Sequence, residues 1–488
     1  MKLSQLIEKI QTEMIIGSGD PDITGLVFDT RKVTEGCAFI CIKGANFDSH
    51  DAAAEMIEKG ATVVVVERDM PELAGSKAIV LKVDDTRYAR AFMAAAWFGN
   101  PATKLKTIGI TGTKGKTTTT YLVKSILEHA GIKTGLVGTI ETIIGEEKIP
   151  AKNTTPDSYE LQETFAKMAE AGLEAVVMEV SSQALMQHRT QGFVFDIGIF
   201  TNLSEDHIGP TEHASFEEYL QCKALLFKQC KKGIINGDDP HAKAIIEGHT
   251  CEVESYGINE GNDLVAVNPV LDDEPGHLGV SFETKGLIEL EVKLPTPGRF
   301  SIYNALCAIS ICRHFGVAKE DIVTALSQAH VKGRIEKVKV SDEFTLLIDY
   351  AHNAMALESI LTTLREYNPG RLICLFGCGG NRSKTRRFEM GEVSGKLADF
   401  TIITSDNPRF EEPLDIIADI VTGISKTDGK YIQIPDRKEA IRYAIENGKR
   451  GDIIVLAGKG HEDYQEIKGV KYPMDERVLI QEILDEMK

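Results

Sequence analysis

An apolar strand pattern, a glycine-containing loop and a helix pattern follow one another without a break at residues 108–120, IGITGTKGKTTTT. The usual phosphate-binding loop reads G-x-x-x-x-G-K-[ST], but here Gly112 lies only three residues before Gly115. Glycines let backbone N–H groups approach an anion, Lys116 can reach the outer phosphates of a nucleotide, and Thr117 can bind Mg²⁺. The alternative is a glycine-rich turn with a surface lysine. We predict a nucleotide site, because a strand before and a helix after this loop are typical of a parallel α/β sheet.

The rest of the chain repeats this alternation. Residues 1–14 have an amphipathic helix pattern, and strand-like runs such as ATVVVVE follow within the first hundred residues. From residue 333 four apolar runs each lead into a polar loop, where open α/β sheets bind their ligands. We predict an α/β protein of three domains, with a mostly parallel central sheet and a Rossmann-like C-terminal domain. The predicted bounds are 1–102, 103–332 and 333–488.

Charge and cysteine content limit the partners. The formal net charge of −18 argues against nucleic acid or an anionic membrane as a partner. No apolar run approaches the roughly 20 residues of a membrane helix. The nine scattered cysteines favour reduced thiols in a cytoplasm over disulfides or a zinc site. We expect a cytoplasmic monomer that makes no membrane contact.

Two charged residues lie in apolar patterns. Glu179 closes the strand-like run EAVVMEV and is either a solvated strand end or a second Mg²⁺ ligand. Lys223 recurs with Phe216, Leu220 and Phe227 at helical spacing, which predicts burial. One interpretation is that the aliphatic stem of Lys223 packs among these apolar residues while its ammonium group reaches water. Alternatively, burial could lower its pKa, so that the neutral amine reacts with CO2 to give a carbamate able to hold Mg²⁺.

Further polar residues follow other strand-like runs. The segment Asn153–Pro156 follows one of them, and Ser181, Gln187 and Arg189 come soon after Glu179. His207 follows another apolar run, and its residue type and position suit a ligand and a structural histidine equally.

The chain resembles the Mur ligases, the ATP-dependent peptide ligases of cell-wall synthesis, whose phosphate loop has this short TGTxGKTT form. The resemblance covers nearly the whole chain. The motifs that carry it, in order, are VFDTRKV (27–33), NTTP (153–156), EVSSQALMQHR (179–189), TNLSEDH (201–207), YLQCKALLF (219–227), GRFSIYNALCAI (298–309), KGRIE (332–336), DYAH (349–352), GCGGNR (377–382), SDNPRFEEP (405–413) and GKGHEDYQ (458–465).

The resemblance implies addition of a third amino acid to UDP-MurNAc-L-Ala-D-Glu, with ATP and Mg²⁺, through an acyl phosphate in peptidoglycan precursor synthesis. It assigns ATP contacts to Gly112, Thr113, Lys114, Gly115, Lys116, Thr117, Thr118, Asn304, Arg334 and Asp349. It assigns contacts with the UDP-MurNAc-dipeptide to Phe28, Thr30, the loop 46–50, Thr154, Thr155, Ser181, Gln187 and Arg189. It assigns the incoming amino acid to Arg382, Asp406, Asn407, Pro408, Arg409, Gly458 and Glu462. Catalytic roles fall on Lys116, Lys223 and His207, and the Mg²⁺ ligands would be Thr117, Glu179, His207 and Lys223 as its carbamate.

The sequence also departs from the family pattern. DYAHNAMALE lacks a proline, GCGGNRSKTRR replaces GCGGDRD, and IGPTEH follows the motif that ends at His207. Such changes are typical of second copies within one genome, and they bear on the amino acid that is added. Arg409 in DNPR favours meso-diaminopimelate, unless it merely pairs with Glu411 or Glu412. L-lysine, another amino acid, or a nucleotide switch without ligation are the alternatives.

Overall fold

The computed structural model describes residues 1–209, 212–272 and 278–487. The chain folds into two compact units, Met1–Tyr256 with Ser310–Gly316, and Gly257–Ile309 with Val317–Lys488. Both units are α/β, as predicted. All nine cysteines are buried free thiols. Within the described ranges, no helix is both long enough and apolar enough to cross a membrane.

The first unit begins with a five-stranded sheet in the order β1-β5-β4-β3-β2. Strand β1 pairs antiparallel with β5, and the other neighbours are parallel. The strands are β1 (Glu13–Ile16), β2 (Leu26–Val27), β3 (Ala38–Ile40), β4 (Val63–Val66) and β5 (Ile79–Lys82), and the helices are α1 (Leu3–Ile7), α2 (Ala53–Glu58) and α3 (Thr86–Trp97).

The helix expected over residues 1–14 is wrong beyond Ile7. Leu3 and Leu6 of α1 are buried in the core beside the sheet. Glu13–Ile16 instead pair with Ile79–Lys82, so the backbone hydrogen bonds of an edge strand replace those of a longer helix.

A larger sheet in the same unit has the order β13-β12-β11-β6-β10-β7-β8-β9. In this order each strand from β13 through β12, β11, β6 and β10 to β7 is parallel to its neighbour, whereas β7, β8 and β9 form an antiparallel meander. The strands are β6 (Lys106–Thr111), β7 (Thr134–Val137), β8 (Glu141–Ile144), β9 (Glu147–Pro150), β10 (Ala175–Glu179), β11 (Phe195–Phe200), β12 (Cys230–Asn236) and β13 (Glu252–Gly257). The helices are α4 (Lys116–His129), α5 (Ser158–Glu170), α6 (Ser182–Met186), α7 (Phe216–Ala224) and α8 (Ala242–Ile245).

The register of this sheet positions the phosphate loop. Strand β6 lies between β10 and β11, with Ile110 opposite Glu179 and Thr111 opposite Phe200. The carboxyl ends of the three strands therefore meet where the loop 112–115 begins, at the edge of the sheet where ligands bind in such folds.

The second unit contains an antiparallel meander and a six-stranded sheet in the order β17-β18-β22-β19-β20-β21, in which only β17 is antiparallel. Its strands are β14 (Leu264–Asp272), β15 (Gly279–Gly286), β16 (Glu291–Leu294), β17 (Glu336–Val338), β18 (Thr345–Asp349), β19 (Leu372–Phe376), β20 (Phe400–Ile403), β21 (Tyr431–Gln433), β22 (Ile453–Ala457), β23 (Tyr464–Ile467) and β24 (Val470–Pro473). The remaining helices of the chain are α9 (Arg299–Arg313), α10 (Lys319–Ser327), α11 (Ala354–Arg365), α12 (Lys384–Leu397), α13 (Pro413–Ile424), α14 (Arg437–Glu446) and α15 (Glu476–Glu486).

The four apolar runs predicted from residue 333 onward are β18, β19, β20 and β22, and they lie side by side as parallel strands. Their carboxyl ends present the loops that begin at residues 350, 377, 404 and 458. This confirms that the polar loops singled out in the sequence share one edge of the sheet.

Candidate active site

The phosphate loop is held by the segment that follows β11. Thr113 N–H donates to the carbonyl of Asn202 at 2.8 Å, and Lys114 N–H donates to the Asn202 side chain at 2.9 Å. Gly112 has a φ of 147°, and a Cβ there would lie 1.9 Å from the Thr201 hydroxyl. Only glycine fits this position, so the misplaced first glycine of the motif fixes the path of the loop.

Two lysines converge on the carbonyl oxygen of Gly112. Lys116, at the start of α4, donates from Nζ at 2.8 Å, and Lys223 donates from Nζ at 3.0 Å. Lys223 is fully buried, as its position on the apolar stripe predicted. Burial lowers the pKa of Lys223 well below its ordinary value, and the positive charge of Lys116 lowers it further. Two ammonium groups on one oxygen repel each other, so the buried amine is favoured in its neutral form.

Tyr219 forms one wall beside this pair. Lys223 Nζ lies 4.3 Å from the centre of the Tyr219 ring, and the Tyr219 hydroxyl lies 3.2 Å from Thr113 Oγ1. Burial raises the pKa of Tyr219 to about 12, so this side chain is a neutral phenol at physiological pH. Sequence reasoning missed Tyr219, although it stands one helical turn before Lys223.

Thr117 and Glu179 meet at the carboxyl ends of β6 and β10. The Thr117 hydroxyl donates to both carboxylate oxygens of Glu179, at 3.0 and 3.1 Å. Thr139 also donates to Glu179, from its backbone N–H at 2.8 Å and from its hydroxyl at 3.0 Å. Glu179 is buried at its strand end, so the reading of a solvated strand terminus is wrong. Hydroxyl and carboxylate oxygens are the donors that Mg²⁺ prefers.

His207 packs beside Tyr219, with ring centroids 6.0 Å apart. Its side chain is 51% exposed, and its Nδ1 lies 2.9 Å from Glu212 Oε1. A neighbouring histidine that sequence reasoning missed, His213, is fully buried with Nε2 2.8 Å from Ser182 Oγ. Burial lowers the pKa of His213. Among the described residues no group of three or more histidine, cysteine, aspartate or glutamate side chains could hold a metal, so the predicted metal set remains a prediction.

The residues predicted to contact the dipeptide join the same hydrogen-bond network. The Thr155 hydroxyl donates to the Glu179 carbonyl at 2.9 Å and accepts from Ser181 N–H at 3.0 Å. Arg189 donates to the Thr155 carbonyl at 2.9 Å and to Gln187 Oε1 at 2.8 Å. The Thr154 hydroxyl lies 3.1 Å from that of Thr139. Five predicted residues from two chain segments, 153–156 and 179–189, are thus brought together beside Glu179.

Phe28 and Thr30 lie in the first unit, both partly buried. The Phe28 ring packs against Tyr159 with centroids 5.5 Å apart, and the Arg90 guanidinium lies 5.1 Å from its centre. Arg90 is buried and donates to Asp157 at 2.8 Å. His50, in the predicted loop 46–50, is buried. Its Nδ1 lies 2.6 Å from Asp48 Oδ1, and its Nε2 accepts a hydrogen bond from the backbone N–H of Glu67 at 3.1 Å.

The other predicted nucleotide contacts lie outside the loop. The Asp349 carboxylate accepts from Ile335 N–H at 2.9 Å and Ala351 N–H at 2.8 Å. Burial raises the pKa of Asp349, and the charge of Arg334 opposes this. Arg334 itself lies 4.7 Å from the centre of the Tyr350 ring, and Asn304 is buried in α9.

The loop after β20 presents Arg409. Its backbone is left-handed with a φ of 51°, and its side chain donates to the Gly380 carbonyl at 2.8 Å and to Glu466 Oε2 at 3.1 Å. The alternative that Arg409 merely pairs with Glu411 or Glu412 is therefore wrong, because its carboxylate partner is Glu466. Glu411 accepts instead from Arg387, at 2.8 and 2.9 Å, and the Arg387 side chain is buried within the unusual segment GNRSKTRR.

The remaining predicted amino-acid contacts line neighbouring loops. Asp406, Asn407 and Pro408 are buried directly after β20, whereas Arg382 is exposed. Gly458 has a φ of 108°, and a Cβ there would lie 3.0 Å from Asp406 Oδ2. Asn407 Nδ2 donates to Glu462 at 2.9 Å, which joins the loop after β20 to the loop after β22.

A residue that sequence reasoning missed, Lys459, stands at the centre of this junction. It is fully buried and donates from Nζ to Asn407 Oδ1 at 3.0 Å, Glu462 Oε2 at 2.7 Å and the Tyr464 carbonyl at 2.5 Å. Its place inside the motif GKGHED was visible in the sequence, but nothing there indicated burial.

Replacing Lys459 by methionine should lower the free energy of unfolding by about 2–3 kcal/mol, because Glu462 and Asn407 would lose a charged donor in a buried site. Chemical denaturation measures this difference. Lys426→Met, at an exposed lysine of the same unit, is the control and should change it by less than about 0.5 kcal/mol. Equal stability of parent and Lys459→Met would contradict the importance of this junction.

The sheet, the short phosphate loop and the paired lysines define a nucleotide-dependent α/β enzyme of the Mur ligase class. Residues 110–312 match the Mur ligase middle domain, residues 333–460 match the domain described as "Mur ligase, glutamate ligase domain", and residues 22–98 match the domain described as "Mur ligase family, catalytic domain". The chain belongs to the Mur ligase family and is a ligase, which confirms the resemblance drawn from the sequence.

Within this family the chain is similar to diaminopimelate ligases. It is 45% identical, over 100% of this chain and 99% of the relative, to the UDP-N-acetylmuramoyl-L-alanyl-D-glutamate--2,6-diaminopimelate ligase of Caldanaerobacter subterraneus subsp. tengcongensis. It is 43% identical to the ligase 1 of that name from Clostridium acetobutylicum, over the full length of both chains. A solved structure of an enzyme with the same name superposes with a TM-score of 0.74 at 28% identity, over 100% of this chain and 99% of the other.

Proposed function

We propose that this chain joins meso-diaminopimelate to UDP-MurNAc-L-Ala-D-Glu in peptidoglycan precursor synthesis, with ATP as the second substrate. The names of its full-length relatives support this substrate pair. The observation that carries the choice of amino acid is Arg409, whose guanidinium is held at the carboxyl end of β20 by Gly380 and Glu466.

In the proposed reaction the D-glutamate carboxylate attacks the γ-phosphate of ATP, which releases ADP and leaves an acyl phosphate. Activation is needed because a carboxylate and an amine do not condense unaided in water. Lys116 offsets the negative charge that develops on the transferring phosphoryl group. The amine of the third amino acid then attacks the acyl carbon, the C–N bond forms, and phosphate leaves with the bonding electrons.

The network around Glu179 would hold the acceptor substrate in this reaction. Arg189 is the only charged donor of the predicted set, and its contacts with Thr155 and Gln187 fix the direction of its guanidinium. Hydroxyls of Thr154 and Ser181 border the same network and can donate to the muramoyl-dipeptide. Held in this way, the D-glutamate carboxylate would approach the phosphate loop from the neighbouring strand end.

The residues present also fit Mg²⁺. Thr117 and Glu179 form a buried oxygen pair next to the phosphate loop, and we assign Mg²⁺ to them together with His207 and Lys223 as its carbamate. When bound, Mg²⁺ supplies positive charge that neutralises the phosphate oxygens.

Arg409 acts as the selector in this proposal. Meso-diaminopimelate carries a carboxylate at its far end, where L-lysine carries only an ammonium. A guanidinium can bind a carboxylate through two parallel hydrogen bonds and repels an ammonium. Glu462, which accepts from Lys459 and Asn407, would hold the distal ammonium of the diamino acid, and Arg382 would serve a carboxylate.

The proposal is tested by phosphate release with UDP-MurNAc-L-Ala-D-Glu, ATP and either meso-diaminopimelate or L-lysine. We expect release to depend on the added amino acid and kcat/KM to favour meso-diaminopimelate. Release that is the same without any amino acid would instead indicate a nucleotide switch without ligation. A higher kcat/KM for L-lysine would leave the ligase assignment standing and overturn the choice of substrate.

Arg409→Ala should lower kcat/KM for meso-diaminopimelate by roughly 30- to 1000-fold, because a bidentate charged pair contributes about 2–4 kcal/mol. The value for L-lysine should fall much less. Arg409→Lys keeps the positive charge but loses the two parallel N–H donors of the guanidinium, so it should keep only part of the preference for meso-diaminopimelate over L-lysine. Arg450→Ala, at an arginine whose side chain is 82% exposed, is the control and should match the parent. An unchanged preference in Arg409→Ala would rule out the selector.

A further inference from the structure

The first unit contains a cavity of about 860 Å³ that is separate from the candidate active site. Residues 102–106, 191–194, 196, 228, 229 and 231 line it, so it lies at the amino ends of β6, β11 and β12. The phosphate loop follows the opposite end of β6, roughly 16 Å away, because a strand rises about 3.3 Å per residue. A cavity of this size can hold a small molecule.

Five lysines and only two carboxylates line this cavity. Both carboxylate oxygens of Asp196 already have partners. Its Oδ1 lies 2.8 Å from Lys231 Nζ, and its Oδ2 accepts a hydrogen bond from Thr107 N–H at 2.9 Å. Across residues 1–209, 212–272 and 278–487, neither Lys104 nor Lys228 forms an ion pair. In a chain with a net charge of −18, this local positive charge indicates an anionic ligand. Lysine is a common ligand of phosphate.

The buried amide of Gln162, in α5, indicates that the ligand must also offer a hydrogen-bond donor and an acceptor. Its side chain lines the cavity and is only 1% exposed, yet neither its Nε2 nor its Oε1 has a hydrogen-bond partner among the described residues. Buried amides are almost always hydrogen-bonded, and leaving both atoms unpaired destabilises the fold. A glutamine amide pairs with a group that displays a donor and an acceptor side by side, as the edge of a nucleobase does.

Aromatic surface lies in the same cavity. The rings of Phe92 and Phe193 both line it. Phe193 is fixed edge-to-face between Phe165 and Phe195, with centroid distances of 5.2 and 4.7 Å, so its orientation is set before any ligand arrives. A flat group can stack on such a ring.

We propose that this cavity binds a nucleotide, with its phosphate at Lys104 and Lys228 and the edge of its base at Gln162. The phosphate satisfies the two lysines that lack carboxylate partners, and the base supplies the donor and the acceptor that the buried amide lacks. The site is independent of the proposed ligation, because none of these side chains belongs to the phosphate loop or to the residues around Glu179.

The test is equilibrium binding of AMP and UMP, the two probes, to the full-length chain and to four variants. We expect at least one probe to bind, and its affinity to fall by about 10-fold or more in Gln162→Leu and in the double variant Lys104→Glu/Lys228→Glu. Lys133→Glu, at an exposed lysine outside the cavity lining, and Lys116→Ala, in the phosphate loop, should retain this binding within about 2-fold of the parent.

The variants separate the outcomes. Gln162→Leu should melt no lower than the parent, because leucine fills the space and removes an unpaired amide. The two lysines are exposed, so the double variant tests the site without disturbing the core. The proposal is overturned if neither probe binds, if both cavity variants bind like the parent, or if Lys116→Ala removes the binding. Inorganic phosphate that binds as tightly as the nucleotides in both parent and Gln162→Leu would also overturn it.

Discussion

Lys223→Ala is expected to lower kcat for ligation on the order of 10³-fold or more, about 4 kcal/mol of barrier. The side chain is fully buried, and its Nζ shares the Gly112 carbonyl with Lys116. As a carbamate, Lys223 would change from a buried neutral amine into an anion beside Lys116 and the Mg²⁺ ligands. Removing it would therefore unbalance the charge of the whole loop.

Small carboxylic acids provide the discriminating measurement. Formate or acetate should restore part of the activity of Lys223→Ala by placing a carboxylate where the carbamate stood, and should not stimulate the parent. Lys223→Arg should be as inactive as the alanine variant, because a guanidinium stays charged and forms no carbamate. Lys124→Ala, at a buried helical lysine paired with Glu128, is the matched control. Full activity of Lys223→Ala would exclude the role.

The lowered pKa of Lys223 has a defined sign in stability. An unfolded lysine titrates near 10.4. Between the lowered pKa of the folded chain and that value, the unfolded chain binds one more proton at this position. The contribution of Lys223 to the free energy of unfolding is therefore most favourable above about pH 10 and falls as the pH falls toward the folded pKa.

Much of this site could be predicted from local patterns. Helical spacing was enough to predict that Lys223 is buried, because the stripe formed with Phe216, Leu220 and Phe227 has the period of a helix face. The strand-loop-helix order around Gly112 was enough to predict a parallel sheet with the loop at its carboxyl edge. Such features depend on residues that are close in sequence, so a pattern can report them.

Other features depend on partners far apart in the chain. Lys223 meets a carbonyl that lies 111 residues earlier, and Lys459 meets an amide 52 residues earlier. No periodicity encodes such pairings, because they follow from the order of strands in a sheet. The same reason explains the pairing of Arg409. Its backbone forms an isolated β-bridge with Ile467, and its side chain pairs with the adjacent Glu466 and not with Glu411, which is nearer in sequence.

The altered segment GNRSKTRR has a structural explanation that its residues alone did not reveal. Arg387 is buried and binds Glu411 and Asp419, which ties the start of α12 to the loop before α13 and to α13 itself. Arg382 of the same segment remains exposed and available to a ligand. The departure from the family pattern therefore combines a packing arginine with a candidate contact for the amino acid.

Lys116→Ala is the second change expected to lower kcat on the order of 10³-fold or more, in line with removal of a major electrostatic stabiliser. Lys116 is the first residue of α4, and its Nζ is held at 2.8 Å from the Gly112 carbonyl and 3.1 Å from that of Thr113. This places its charge over the loop, where the γ-phosphate would develop negative charge. Affinity for ATP should fall more than affinity for ADP, because the side chain serves the outer phosphate.

Because Lys116 and Lys223 share one carbonyl, their effects should not add. We expect Lys116→Ala/Lys223→Ala to be little slower than either single variant, since each change already disables the same charge arrangement. The melting temperature of Lys116→Ala should match that of the parent, because the side chain is only partly buried and its helix remains. Single-turnover formation of ADP measures the phosphoryl transfer directly. A near-normal rate of ADP formation in Lys116→Ala would contradict its role. A rate in the double variant that is lowered by the product of the two single effects would show that the two lysines act independently, and would contradict a shared role.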